Sequence, residues 1–579
     1  MCQALTPGRI AGVTKARMNM NTTFQYDHYY LYEELKSNLE YFAQKYPDLC
    51  DVEVLCVTEK GLNQYAVTLT NKKTGDALSK PGYYMDGNIH AGEVTASMTC
   101  MYLVDWLLTE YGKNPEITKL LDTETIYVLP RISPDGAECY LTTPNFMYSA
   151  DRDWKEVYGG VAPEDIDGDG VVRMMRYKDP YGIWKIDPED SEQMVMRKPD
   201  ETEGEFYSVW AEGEFEEYDG DENLKEKKMK WSMNFNRNFP YGWFPDPREI
   251  GAGEYPLSFP EIKAVHDFIL AHKNIGGLSA MHTTAGMILV PPGTRPEAQG
   301  IPADMKAFRA IGQMGTEETG YPCVNIFDTF LADQVNYSSG ALDDWAYENQ
   351  GIVSYTVELW DLANKVGMPE DMTARLTGDT ETKIKRYNAY REWVKKNSPE
   401  AYVPWHEYDH PHFGKIEIGG YNYKFTQQNP PGNMLCELCE GIARYMVRFA
   451  RCMPKVEVVS LDKEKVSEDV YKITAVVGNR GFLPTNLTDQ AIRAAVNKPV
   501  LVEISGVEEL VTGKACEEIG DLSGYSRAQT KVFYGEVINR QEAAMKKKVS
   551  WIVKAKEQDT VTVKVSHEKS GWDEKAITL

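Results

Sequence analysis

Between Tyr30 and Tyr46 the apolar residues Leu31, Leu35, Leu39 and Phe42 recur every three to four positions, the spacing of a helix with one buried stripe. The period then changes. Val52–Val57 and Gln64–Thr70 are rich in β-branched and aromatic residues, and a turn containing Gly61 separates them, so two joined strands are expected. A short apolar strand at Tyr83–Met85 breaks into a glycine-containing turn. From Val94 to Leu108 the helical spacing returns with Ala96, Met98, Met101, Leu103, Val104, Trp106 and Leu107. Strands and helices go on alternating through Ile126, Ile262 and Leu278, which predicts an α/β domain with helices on both faces of its sheet.

Past Pro454 the texture is different. Val456–Leu461, Asp469–Val477, Val500–Ile504, Val549–Lys554 and Thr560–Val565 are short β-rich runs between polar turns, as in a small β-sandwich. The expected organisation is a poorly ordered lead-in over residues 1–22, an α/β domain over 23–453, and an accessory sandwich over 454–579. That sandwich either packs on the first domain or targets it. A polar insertion at about 145–231, strongly acidic from Glu201 to Glu226, is expected to decorate or narrow a cleft.

Composition narrows the class. A chain of 579 residues is too long for one core. With 42% hydrophobic residues it builds ordinary cores, while no apolar run approaches a membrane span, so no membrane partner is expected. A net charge of -25 argues against nucleic acid, whose phosphates need clustered Lys and Arg, and reads most simply as solubility. The first residues lack the apolar core of a signal peptide, so a cytoplasmic location is expected, with export left open. Ten irregularly spaced cysteines make no disulfide scaffold. Cys436-Glu-Leu-Cys439 runs into an amphipathic helix and has no second pair to complete a zinc set, so it reads as structural.

The candidate chemistry begins at His90-x-x-Glu93, where the strand from Tyr83 ends. An imidazole and a carboxylate are ligands that Zn²⁺ accepts, and at a strand end they face the crevice where open α/β sheets bind ligands. Alone, the pair reads better as a solvated turn, and what changes that is the downstream context. Downstream, His282 follows a strand-like run from Ile275 to Met281, and Glu358 ends the apolar strand Ile352–Val357. Two His and one Glu are an established catalytic zinc set with one position open for water. That leaves Glu358 free as a base, while Asn236 and Arg237, an amide beside a fixed cation, can hold an anionic group or serve as a structural ion pair. Two other clusters stand apart. His406-Glu-Tyr-Asp-His-Pro-His412 invites a second metal, but its proline breaks any helical ligand geometry. Asp165, Asp167 and Asp169 resemble the start of a calcium loop, yet Arg176 stands where an EF-hand needs a bidentate Glu. Either a Ca²⁺ ion held partly by other loops or a hydrated turn fits.

The order and wording of these segments resemble the zinc carboxypeptidases of the carboxypeptidase A/B type, over about Tyr26 to Pro454. Ser133-Pro-Asp-Gly136 is similar to the family's Asn-Pro-Asp-Gly turn, Pro256-Leu-Ser-Phe-Pro-Glu261 to its Pro-Phe-Ser-Glu-Pro-Glu, and Ser339-Gly-Ala-Leu-Asp-Asp-Trp345 to its Ser-Gly-Gly-x-x-Asp-Trp. The resemblance implies a mixed central sheet and a zinc-dependent hydrolase that removes C-terminal residues from peptides. Its substrate would be a peptide with a free C-terminal carboxylate, gripped by Asn236 and Arg237. An amidase acting on cell-wall peptides, or a peptide-binding module without turnover, would use the same fold.

The resemblance further implies an arginine that stabilises the oxyanion. Arg152 is the candidate by position, with Arg173 and Arg176 as competitors and a solvated surface role as the plain alternative. Tyr337 resembles the family's mobile tyrosine, although it lies one residue too close to Asp344. Asp343 falls where relatives set side-chain preference, and an acid there favours basic residues. Two departures stand out. Asn234 replaces an aspartate that orients a zinc-bound histidine, and Trp360 replaces an arginine just after the base.

Overall fold

The computed structural model describes residues 20–152, 160–216, 233–245, 248–331, 335, 337–368, 379–541 and 544–579. All but the last three residues of the expected N-terminal lead-in lie outside this set. An eight-stranded sheet forms the centre, in the order Cys50–Val57, Asn63–Leu69, Thr125–Leu129, Gly82–Gly87, Ile275–Thr283, Val353–Leu359, Met287–Val290 and Cys323–Asn325. The four strands from Thr125–Leu129 to Val353–Leu359 pair in parallel, while antiparallel pairs flank them on both sides. The sheet is therefore mixed.

Its central strands are buried along their whole length because helices cover both faces. Alternate side chains serve two cores. Tyr83 and Met85 join the core under the helices Tyr32–Lys45, Val94–Glu110, Pro302–Thr319 and Gly432–Ala450, whereas Tyr84 joins that under Pro260–Ala271 and Leu342–Gln350. The Val94–Glu110 helix is buried almost all round, with the Gly432–Ala450 helix packed against it. Gly87 permits its close approach, since a Cβ there would lie 2.6 Å from the carbonyl oxygen of Ala96. Cys436 and Cys439 ride on the Gly432–Ala450 helix as free thiols, one exposed and one buried.

The described part of the polar insertion contains strands, while residues 153–159 and 217–231, with the end of its acidic stretch, lie outside the described residues. Met174–Lys178, Tyr207–Ala211, Trp184–Ile186 and Met194–Met196 form a sheet that continues through Gly414–Tyr421 to Tyr402–His410. The hairpin at 402–421 is thus what completes it, a pairing no local pattern announces. From Val456 onward two four-stranded antiparallel sheets enclose Ile473, Val502, Trp551, Val553 and Val563 as a shared core, the sandwich expected from alternation. It is packed onto the α/β part: Lys569 Nζ donates to the carbonyls of Lys273 and Ile275 at 2.9 Å, and Arg527 pairs with Asp304 at 3.2 Å. Among the described residues no helix is long and apolar enough to cross a membrane.

Candidate metal centre

Three neighbouring parallel strands deliver the candidate ligands at their carboxyl ends. His90 follows Gly82–Gly87, His282 stands near the end of Ile275–Thr283, and Glu358 near the end of Val353–Leu359. Glu93 occupies the position just before the Val94–Glu110 helix. All four are buried. His90, Glu93 and His282 bring ligand atoms within 4.8 Å of one another. His90 Nδ1 lies 2.9 Å from Glu93 Oε1, and His282 Nδ1 lies 2.9 Å from Glu93 Oε2.

The donor set suits zinc. Both Nδ1 atoms turn inward, and the amide oxygen of Asn234 lies 3.2 Å from His90 Nε2. If that nitrogen carries the ring proton and donates it there, the Nδ1 lone pair is left for a metal. Burial alone would raise the Glu93 carboxyl, but the charges of His90 and His282 outweigh it and hold it at about 2. Burial opposes the charged form of His282 as well, yet Glu93, with help from Glu358 and Asp86, lifts it to about 9. At His90 burial prevails and lowers the ring. Behind the site, Asp86 is fully buried, which pushes its carboxyl up to about 7. The local reading of the sequence missed this acid, although it sits four residues before His90, on the strand that leads to it.

A cavity of about 330 Å³ opens over these groups, and Asn236, Arg237, Asp343 and Glu358 line it together with His90, Glu93 and His282. The Phe235–Arg237 turn is pinned by Gly340, whose φ is +68° and whose Cβ, if present, would lie 2.4 Å from the Arg237 carbonyl oxygen. Asn236 accepts from Leu342 N at 3.0 Å. Arg237 donates from Nε to Glu249 at 3.0 Å and from Nη1 to the Asn236 carbonyl at 2.7 Å. Asp343 accepts from Thr356 Oγ1 and from Asp344 N, both at 2.9 Å. Beside it, burial and then the Asp343 charge push the Asp344 carboxyl well above its ordinary value.

Arg152 is not at this cavity. Its guanidinium is bound to the buried carboxylate of Glu261, with Glu59 3.5 Å from its Nε. Arg173 and Arg176 are held by Asp169 and Glu417 at 2.8 and 2.9 Å, also away from it. The side chain of that segment which does reach the cavity is Tyr148, whose ring lies 4.7 Å from that of His90. Ala91 N donates to the Tyr148 carbonyl at 2.7 Å, and Asn234 Nδ2 donates to its hydroxyl at 3.4 Å. Burial pushes this phenol up to about 12. A hydroxyl in the stretch between the Pro-Asp-Gly turn and Asn236 was the available signal. Tyr337 is not among the cavity's lining either, and its ring lies 5.3 Å from the Arg248 guanidinium. Trp360 is a core residue, its φ at +62° and its Nε1 donating to Thr426 O at 2.9 Å.

The two outlying clusters meet each other. His406 Nε2 lies 3.1 Å from Asp167 in the loop of Asp165, Asp167 and Asp169, and His410 Nε2 lies 3.2 Å from the Gly213 carbonyl. Within the loop the carboxylates accept from backbone N–H groups, Asp165 from Gly168 and Asp169 from Val171, each at 2.9 Å, as hydrated Asx turns do.

Comparison with known proteins gives the same direction. Residues 35–167 and 218–382, just over half of the chain, match the family described as "Zinc carboxypeptidase". Residues 455–578 match a "Domain of unknown function (DUF8731)". Carboxypeptidase M of Mus musculus is 27% identical over 130 residues, 22% of this chain and 28% of its own length. Carboxypeptidase A4 of Mus musculus is 22% identical over 346 residues, 58% of this chain and 64% of its own length. The chain thus spans less than two thirds of these curated relatives. Among solved structures, thrombin activatable fibrinolysis inhibitor is 18% identical with a TM-score of 0.41, covering 73% of this chain and 74% of its own. Carboxypeptidase A of Helicoverpa armigera is 19% identical with a TM-score of 0.38, covering 66% and 78%. The extent of the family match is decisive, and this chain belongs to the zinc carboxypeptidase family.

Proposed function

We propose that this protein is a zinc-dependent carboxypeptidase, which removes the last residue of peptides that end in a free carboxylate. The observation that carries the reading is the convergence of His90, Glu93, His282, Glu358 and Arg237 on one cavity. His90, Glu93 and His282 would hold the zinc, which would supply acidification of a bound water and polarisation of the scissile carbonyl. Glu358 then takes the water's proton and passes it to the leaving amine. Tyr148, a phenol that stays protonated at neutral pH, donates its O–H to the oxyanion that develops on the carbonyl. This role belongs to Tyr148 in place of Arg152, which Glu261 holds elsewhere.

Arg237 and Asn236 grip the terminal carboxylate of the substrate. A guanidinium carries more donors than the bonds to Glu249 and to the Asn236 carbonyl use, and its planar edge matches a carboxylate with paired hydrogen bonds. Asp343 beside the same cavity favours a basic last residue. The test is a panel of peptides varied at the last residue, each with a free and an amidated C-terminus, with and without a chelator. Free peptides ending in Lys or Arg are expected to be cut, amidated ones spared, and chelation to stop the reaction. Equal cutting of free and amidated peptides would defeat the assignment.

A further inference from the structure

A second cavity, of about 540 Å³, lies beside the first, and Tyr148, Tyr423 and Gln428 line both. Its remaining wall is mostly aromatic or apolar, with Tyr140, Phe146, Met174, Tyr387 and Tyr421 prominent. Among the described residues of this wall the guanidinium is that of Arg173, which is committed to Asp169 at 2.8 Å and to the Gly420 carbonyl at 3.1 Å. Gln428 accepts from the Tyr140 hydroxyl at 2.8 Å. Such a wall rewards burial of apolar surface and offers little to a charged ligand. The volume falls in the range that holds groups of drug size, more than a single side chain fills.

Its placement says which part of a ligand it meets. Asn236, Arg237 and Asp343 line the first cavity alone, whereas the three shared residues lie where the two cavities join. A peptide whose last residue sits against Arg237 and Asp343, with its scissile carbonyl over the metal ligands, must lead its preceding residues away from that end. The opening past Tyr148 and Gln428 receives them. Gly92 belongs to this passage, for a Cβ there would lie 2.7 Å from Gln428 Nε2 and 2.9 Å from the Tyr140 ring. Most of the wall is built by segments outside the family match. Met174 and Arg173 fall in the gap between residues 167 and 218, and Tyr387, Tyr421, Tyr423 and Gln428 come after residue 382. The insertion sheet and the hairpin it pairs with therefore give this chain a pocket of its own.

We propose that the second cavity binds bulky apolar or aromatic side chains of the residues preceding the scissile bond, so that the substrates are peptides with such a segment just before their last two residues. The proposal rests on the carboxypeptidase reading for the direction of the chain. Its test compares acetyl-Phe-Phe-Ala-Lys, acetyl-Gly-Gly-Ala-Lys and acetyl-Ala-Lys as substrates of the zinc-loaded enzyme. The Phe-Phe peptide is expected to exceed the Gly-Gly peptide ten- to a hundredfold in kcat/KM, the yield of burying one aromatic side chain. Ala211→Trp, which fills the cavity from its edge, and Tyr387→Ala, which removes part of the wall, are each expected to bring that ratio towards one while acetyl-Ala-Lys is cut as before. Equal rates for the two longer peptides in the wild type, or a ratio that survives in both variants, would overturn the proposal. If acetyl-Ala-Lys is not cut at all, the carboxypeptidase reading fails by itself. Calorimetry of the chelated protein then decides the cavity: tenfold tighter binding of the Phe-Phe peptide, lost in both variants, supports it, and equal affinity refutes it.

Discussion

His282 and Glu358 are register partners across two parallel strands, side by side where both strands open onto the cavity. Backbone hydrogen bonds between strands, not a loop, set the candidate ligand beside the candidate base. Glu358→Gln is therefore expected to keep the fold and bind zinc at wild-type stoichiometry while kcat falls roughly a hundred- to ten-thousandfold, the scale of general-base catalysis. Metal analysis and peptide hydrolysis on the same sample check this. An unchanged rate in the zinc-loaded variant removes Glu358 from the mechanism.

Arg237 both lines the cavity and pairs with Glu249, so its two roles must be separated. Arg237→Ala is expected to lower kcat/KM for free-carboxylate peptides ten- to a hundredfold, as the loss of a charge-assisted hydrogen bond of roughly 1.5–3 kcal/mol implies. Glu249→Ala leaves the guanidinium in place but unanchored, and should raise KM by about tenfold with little change in kcat. A purely structural Arg237 would instead show as a lower Tm in both variants and as equal cleavage of free and amidated peptides by the wild type.

The proposed reading gives Tyr148 the oxyanion role for which the family resemblance made Arg152 the candidate by position. Tyr148→Phe should reduce kcat ten- to a hundredfold with KM within about twofold, because its O–H acts on the transition state. Arg152→Ala should leave kcat alone and destabilise the fold by about 3 kcal/mol, since it strands the buried Glu261 carboxylate. Denaturant melts and steady-state rates on both variants test the division, and the reverse pattern would restore Arg152 to the site.

The sandwich carries a pH response of its own. His567 is buried, its Nε2 lies 3.1 Å from the Lys498 carbonyl, and Nδ1 accepts from Lys569 N at 3.2 Å. Burial depresses the ring to about 4, below an unfolded value of about 6.5. The folded state thus binds the proton less readily than the unfolded one. Its contribution is complete above about pH 6.5 and is lost as the pH falls towards 4, amounting to about 2 kcal/mol between pH 7 and 5. Urea melts at the two pH values should show this difference in the wild type and lose it in His567→Gln. An identical acid response in the variant would assign the effect to other groups.

Much of this architecture is written in local pattern. The helices at Tyr32–Lys45 and Val94–Glu110 and the sandwich strands follow from spacing of three to four residues or of two, since each short segment must bury one face. The segments around His90, Glu93, His282 and Glu358 are legible for the same reason: each ends a strand, and adjacent parallel strands end together. The resemblance in wording supplied what periodicity could not, namely the chemistry to look for.

What the sequence alone determined, then, is the element types, the mixed sheet with its following sandwich, and the segments that carry the candidate ligands and base. Tertiary structure decided where loop side chains point and which distant segments pair. The resemblance nominated Arg152 by position, but its guanidinium goes to the buried carboxylate of Glu261, 109 residues away in the chain. Tyr148 reaches the candidate metal ligands, with its carbonyl tied to Ala91 N. The strand Met174–Lys178 meets Gly414–Tyr421 across more than two hundred residues, and Met174 and Tyr421 from these two strands line the second cavity. Register and loop closure are long-range hydrogen-bonding outcomes, and no window of local sequence contains both partners.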